Sequence, residues 1–297
     1  MNKHLLLFIS CLMLAFSLQA QDDIPILLSK SYKKIKYAPE PGAKYSKIQA
    51  VKSLDAKGVL KLGGKSTARL YCNGLFKDIE GRGEYVIADL FGDELNYRAM
   101  GFANTFNGML MAAIRGPRGT DTTSASSGWG NKKFDIISAT PIGKAISNQS
   151  LRFQWQSREN IPEYEFTIED ESGRVIHSKK VNQKEYTVDF SGLGLKAGKS
   201  YAWKVVQPGG EGMVSDKYFF KVADEKEKAD VITALQEEEV YQEAGPQMKK
   251  LMEAASLEDS EFYYAADQAY VEAAQMSGKE DLPEKMREAF VRRRSVD

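Results

Sequence analysis

A chain of 297 residues with 42% hydrophobic and 28% charged side chains has an ordinary globular composition and length for two or three domains. Its formal net charge of +0 supplies no global field for nucleic acid, so no nucleic-acid partner is expected. Two cysteines and two histidines leave little material for metal or nucleophile chemistry.

Lys3 and His4 precede an apolar run over residues 5–16, and Ser17-Leu18-Gln19-Ala20 leads into the polar Gln21-Asp22-Asp23. A positive start, a short apolar centre and a small residue at the end predict a secretory signal peptide over 1–20. The run is shorter than the roughly 20 residues a membrane-spanning helix needs, so no transmembrane segment is expected after cleavage. The sequence thus predicts an exported protein, periplasmic or extracellular, with outer-membrane association as a further address. Beyond the leader only Cys72 and His177 remain of their kinds. An intrachain disulfide is then excluded, a Cys/His zinc site lacks ligands, and any histidine-dependent nucleophile would rely on His177, which is expected at the surface of a strand. No cofactor and no metal site are expected.

Residues 21–46 place Pro25, Pro39 and Pro41 among lysines and tyrosines, which suits an extended lead-in rather than a helix. Residues 30–65 hold ten lysines against Glu40 and Asp55, whereas 223–297 carry 19 acids against 10 bases. Lys30, Lys33, Lys34 and Lys36 are therefore the candidate interaction surface, for a protein or an acidic glycan, and their attraction should be screened by salt.

A small β domain is predicted over 47–92, from short runs at 48–53, 59–62, 68–72, 75–79 and 85–90. Asn73-Gly74 between two of them is a strong hairpin signal, because both central residues of a type I′ turn need positive φ. Gly63-Gly64-Lys65-Ser66 imitates the end of a phosphate loop, but the frame would need glycine at Val59 and no helix pattern follows. The string from Gly63 to Leu75, with its glycine-rich turn, small-residue strand and Asn-Gly turn, resembles the extracytoplasmic domain of FecR-type proteins.

Between Asp93 and Gly116-Pro117, Leu95, Ala99, Phe102, Phe106, Met109 and Ala113 recur at helical spacing, and Met100, Ala103, Leu110 and Ile114 make the other side apolar too. A helix over 93–116 that is apolar nearly all round is expected to dock between the two β regions. Residues 117–145, rich in Gly, Ser and Thr over 118–131, read as a linker.

Over 146–222, alternating runs such as Leu151, Phe153 and Trp155, then Tyr164, Phe166 and Ile168, then Tyr201, Trp203 and Val205, predict an all-β sandwich with these side chains inside. The early-strand Trp155 and the turn Leu195-Lys196-Ala197-Gly198 before Tyr201 resemble a fibronectin type III domain, which implies an immunoglobulin-like sandwich. Ala197 departs from that family's proline, and no Arg-Gly-Asp triplet occurs. Residues 223–297 predict an α-helical region of four helices with a break at Gly245-Pro246, whose alanine-rich pairs resemble tetratricopeptide units without that family's spacing.

The resulting fold class is mainly β with α: a small N-terminal β domain, a fibronectin type III-like sandwich and a C-terminal helical segment. The expected function is that of a non-enzymatic, modular protein of the bacterial cell envelope that presents interaction surfaces. Two alternatives remain: a passive envelope scaffold, or a carbohydrate-active enzyme drawing paired carboxylates from Glu163, Glu165, Asp170 and Glu171.

Overall fold

The computed structural model describes residues 26–28, 34–48, 51–64, 66–96, 101–116, 136–138, 142–157, 161–209, 214–276 and 281–294. The signal peptide expected over 1–20, Lys30, Lys33, Lys65 and the glycine- and serine-rich stretch 118–131 lie outside them. The described residues are 39% helical and 35% strand, so the architecture mixes β and α with more helix than a mainly β chain.

Eight short strands build the N-terminal unit: β1 (Ile26–Leu28), β2 (Ile35–Ala38), β3 (Ser46–Lys47), β4 (Lys52–Ser53), β5 (Val59–Leu62), β6 (Thr67–Cys72), β7 (Leu75–Glu80) and β8 (Gly83–Val86). They pair antiparallel in two four-stranded sheets, ordered β4-β1-β6-β7 and β3-β2-β5-β8. Period-two alternation turns Ile35, Tyr37, Leu60, Leu62, Leu70 and Cys72 into one buried cluster. The short helix α1 (Ile87–Phe91) joins that cluster through Ile87 and Phe91. At the β6–β7 turn Asn73 has φ 53° and Gly74 φ 90°, as the hairpin signal requires. The stretch 21–46 read as a lead-in supplies β1, β2 and the first residue of β3, and its prolines 39 and 41 lie in the turn between β2 and β3. The glycine pair 63–64 is followed by strand β6, so no helix N-terminus faces it.

A 3₁₀ turn (Gly92–Asn96) and helix α2 (Gly101–Arg115) follow in place of one continuous helix over 93–116. Gly92 and Gly101 both have positive φ, a conformation that ends regular helix.

The sandwich comprises β9 (Ile136–Ser138), β10 (Gly143–Ile146), β11 (Ser150–Ser157), β12 (Tyr164–Asp170), β13 (Val175–Val181), β14 (Glu185–Asp189), β15 (Ser200–Val206) and β16 (Tyr218–Ala223). One sheet runs β14-β11-β9 and the other β10-β16-β15-β12-β13, with only β10 and β16 parallel. Phe153 sits at the centre, 4.8 Å from Phe166 and 5.2 Å from Trp203, and Trp155 stacks on Phe166 at 6.2 Å. Tyr201 is anchored as well as packed: the Lys196 amide donates to its hydroxyl at 2.9 Å. Strand β9 and all but the last residue of β10 fall inside the stretch 117–145 read as a linker, where their three and four residues are too short to show a period.

Helices α3 (Glu225–Glu237), α4 (Glu239–Glu243), α5 (Pro246–Asp259), α6 (Tyr263–Met276) and α7 (Leu282–Arg294) complete the chain, five where four were expected. The extra break falls at Glu238, whose ψ of 130° is extended. Asp224 caps α3 by accepting from the Lys226 amide at 2.9 Å, and Pro246 opens α5. Helix α2 does not dock between the two β regions. Its Phe106, Leu110 and Ala113 share one core with Ile26 and Tyr71 of the first β sheet, with Val51 just before β4, and with Leu251, Met252 and Phe290 of the C-terminal helices. The apolar girth of α2 is therefore explained by helices on one side and a sheet on the other. A carboxylate locks this helical layer: Glu258, fully buried, accepts from Arg293 Nε and Nη2 at 2.9 Å each and from the Tyr270 hydroxyl at 3.0 Å.

Candidate interaction surface

The residues facing inward and outward on the sheet β3-β2-β5-β8 follow from register. Lys36 lies opposite Lys47 on one side and Lys61 on the other, and Lys61 lies opposite Glu84. A row therefore crosses four strands at one level: Lys47, Lys36, Lys61, Glu84. All four side chains are exposed. Neighbouring strands are about 4.8 Å apart, so three ammonium groups are rooted at that interval along a line. Like charges placed directly opposite destabilise a sheet, on the scale of roughly 0.2–1 kcal/mol per pair.

Lys34, two residues before Lys36, adds a fourth cation on the same side of the sheet. Its ammonium lies 3.4 Å from where a Gly64 side chain would begin, so Gly63 and Gly64 leave bare backbone beside it. The far end of the row is neutralised. Lys61 donates to Glu84 at 2.6 Å and its ammonium stands 5.2 Å above the centre of the Tyr45 ring. Hydrogen bonding from Lys61, then from Tyr45, holds the Glu84 carboxyl below its ordinary range, and the same bond raises Lys61. Both groups are about half exposed, so the pair contributes little to stability.

Of the four lysines singled out in the sequence, Lys34 and Lys36 belong to this surface, whereas Lys30 and Lys33 lie outside the described residues. Lys47 and Lys61 were missed. They are distant in sequence, and what unites them with Lys36 is pairing register, which composition does not reveal.

The carboxylates considered for catalysis are each engaged by neighbours. Glu163 accepts from Lys180 at 3.0 Å, Glu165 from Ser178 at 3.0 Å, Asp170 from Ser172 and Arg174, and Glu171 from the Ser200 amide at 3.1 Å. A shallow depression between β11 and the approach to β14 is lined by Gln154, Trp155, Gln156, Gln183, Lys184 and Glu185, and Glu185 is paired with Arg152. On the outer face of the five-stranded sheet, buried Glu169 lies between Lys204 at 2.5 Å and Lys217 at 2.6 Å, which lower its pKa. His177 departs from the surface position expected of it. Its ring is half buried, stacked on Tyr186 at 5.7 Å and edge-on to Phe166 at 6.3 Å, and desolvation lowers its pKa.

No protein-family model matches the chain, and no curated protein matches it. Solved structures similar to parts of it include CopC from Methylosinus trichosporium OB3b, at 18% identity over 30% of this chain and 95% of that one, with a TM-score of 0.23. The fibronectin(III)-like modules of Clostridium thermocellum CbhA share 16% identity over 30% of this chain and 97% of theirs, at a TM-score of 0.22. A two-domain fibronectin type III segment of chicken tenascin shares 12% identity over 68% of this chain and 84% of its own, at 0.20. The FecR-type resemblance of residues 63–75 gains no support from these comparisons.

Proposed function

We propose that this chain is an exported, non-enzymatic, modular protein of the bacterial cell envelope that binds an acidic partner, protein or glycan, through the lysine face of its N-terminal β unit. The observation that carries this reading is the row Lys47-Lys36-Lys61, in which like charges oppose one another across three strands. A fold that only had to be stable would gain by placing acids or neutral residues there. The positive start and short apolar run within residues 1–20 support export. The sandwich, with its fibronectin type III-like strand alternation and its anchored Tyr201, serves in this reading as a spacer and second contact module.

Absence of turnover is part of the same proposal. Glu163, Glu165, Asp170 and Glu171 are each occupied by a neighbouring donor, which favours a structural role for them over a catalytic pair. Affinity capture from an envelope extract tests the reading, comparing the wild-type protein with a variant in which Lys36, Lys47 and Lys61 are changed to Gln. Recovery of an acidic partner by the wild type at low salt, reduced at physiological salt and lost in the variant, is the expected result. Equal recovery by both proteins would refute the assignment of this surface.

A further inference from the structure

We infer that the partner of the lysine row is a linear, carboxylate-bearing polysaccharide lying across the strands of β3-β2-β5-β8, in preference to a folded protein or a lipid surface. This deepens the proposed function and rests on its assignment of an acidic partner to that face.

Three features point to a chain-like ligand. The cations Lys47, Lys36 and Lys61 are collinear and evenly spaced, one per strand, on an open sheet face. A polymer that repeats its charge once per sugar unit can meet such a row with successive groups, whereas a compact protein meets it only at the points its own fold provides. The row also has a polarity: it opens at Lys47 and closes at Glu84, the carboxylate already held by Lys61. Tyr45, half buried with the Lys61 ammonium over its ring, places a polar-tipped aromatic side chain beside the row.

A folded protein partner fits less well. Protein interfaces draw most of their affinity from apolar and aromatic anchors buried at the centre of the contact. Among the described residues the exposed large hydrophobic side chains are Val175, Val214, Phe219 and Met276, and all four lie outside the N-terminal β unit. An anionic bilayer would engage exposed lysines wherever they lie near its plane, and would not single out one row. Lys57, exposed in the turn before β5 and off the row, distinguishes the two cases.

Polygalacturonate binding by the full-length protein tests the inference, with neutral dextran, polyglutamate and phosphatidylserine-containing vesicles as comparison probes. At low salt the protein should bind polygalacturonate and leave dextran free. Lys36→Gln and Lys47→Gln should each weaken binding roughly two- to fivefold, and Lys57→Gln should leave it unchanged. Glu84→Gln should tighten binding by a similar factor, because it releases Lys61 and removes the row's carboxylate. A gain of affinity is a result that loss of folding does not produce. Equal or tighter binding to polyglutamate with the same lysine dependence would overturn the polysaccharide inference and leave the acidic-partner reading standing. Vesicle binding that depends on Lys57 as much as on Lys36 would likewise overturn it. Failure of every acidic probe would refute both.

Discussion

The α-carbon of Gly143 faces the carbonyl oxygen of Glu261 so closely that a side chain there would collide with it, and the Lys144 amide donates to that same carbonyl at 2.7 Å. Both residues at this contact have left-handed backbone, Gly143 with φ 60° and Glu261 with φ 68°. Lys144 adds an ion pair to Glu227 of α3 at 2.7 Å. The first strand of the large sandwich sheet is thereby joined to the turn between α5 and α6, and the sandwich is tied to the helical layer through backbone.

This contact sets a requirement for glycine that two substitutions separate. Gly173 also has positive φ, 82°, but nothing lies within 4 Å of the side chain it lacks. Gly173→Ala should therefore cost about 1 kcal/mol, the left-handed backbone penalty alone. Gly143→Ala should cost about 3 kcal/mol, and protease should cleave near residues 136–146 more readily, because the Glu261 contact must also open. Urea denaturation of both variants checks this. Equal losses would show that the Glu261 approach imposes nothing beyond the backbone penalty.

Trp155 is 2% exposed and packs against Phe166 and Tyr164, at 6.2 and 5.5 Å. Trp155→Ala should cost about 3–5 kcal/mol in a urea titration followed by near-ultraviolet circular dichroism. A loss under about 1 kcal/mol would mean that the indole does not fill this core.

In the helical layer, Glu258→Gln should be strongly destabilising, by about 3 kcal/mol, since Arg293 and Arg294 would then face a neutral group and Tyr270 would lose a charged acceptor. The double change of Glu258 and Arg293 to Gln and Met should recover part of that loss. No recovery would mean that packing around Glu258, and not its charge pairing, holds α7 in place.

Glu169 gives a dependence on pH. Its bonds from Lys204 and then Lys217 hold its pKa down, so the folded state favours the ionised form. On acidification the unfolded chain takes up the proton first, so the stability contributed by the cluster is fully present above the ordinary glutamate value of about 4.3 and is lost as pH falls from there through the lowered folded value. Thermal unfolding followed from neutral pH to below the ordinary glutamate value of about 4.3 should show a shallower decline for Glu169→Gln than for the wild type. Parallel curves would contradict the role given to Glu169.

What the sequence disclosed follows from how each signal is encoded. Strands β11, β12 and β15 are seven or eight residues long and carry large apolar side chains at every second position, so Phe153, Trp155, Phe166 and Trp203 were legible as core. Asn73-Gly74 and Gly245-Pro246 are local signals and lay where expected. Strands β1, β3, β4 and β9 have two or three residues each, fewer than one period test requires. The destination of α2 was misread because an apolar face does not name the surface that covers it. Lys47 and Lys61 escaped notice for a related reason: a cross-strand row exists only once register is known.

In the proposed function a local basic row, and not net charge, governs what this protein meets. Its most direct test is the salt concentration at which the full-length protein leaves a carboxymethyl resin at pH 7, where its formal net charge is +0. The wild type should be retained at low salt, Lys36→Gln should elute earlier, Glu84→Gln later, and Lys179→Gln, exposed on the sandwich, should elute with the wild type. Passage of the wild type without retention, or equal shifts for Lys36→Gln and Lys179→Gln, would contradict the claim.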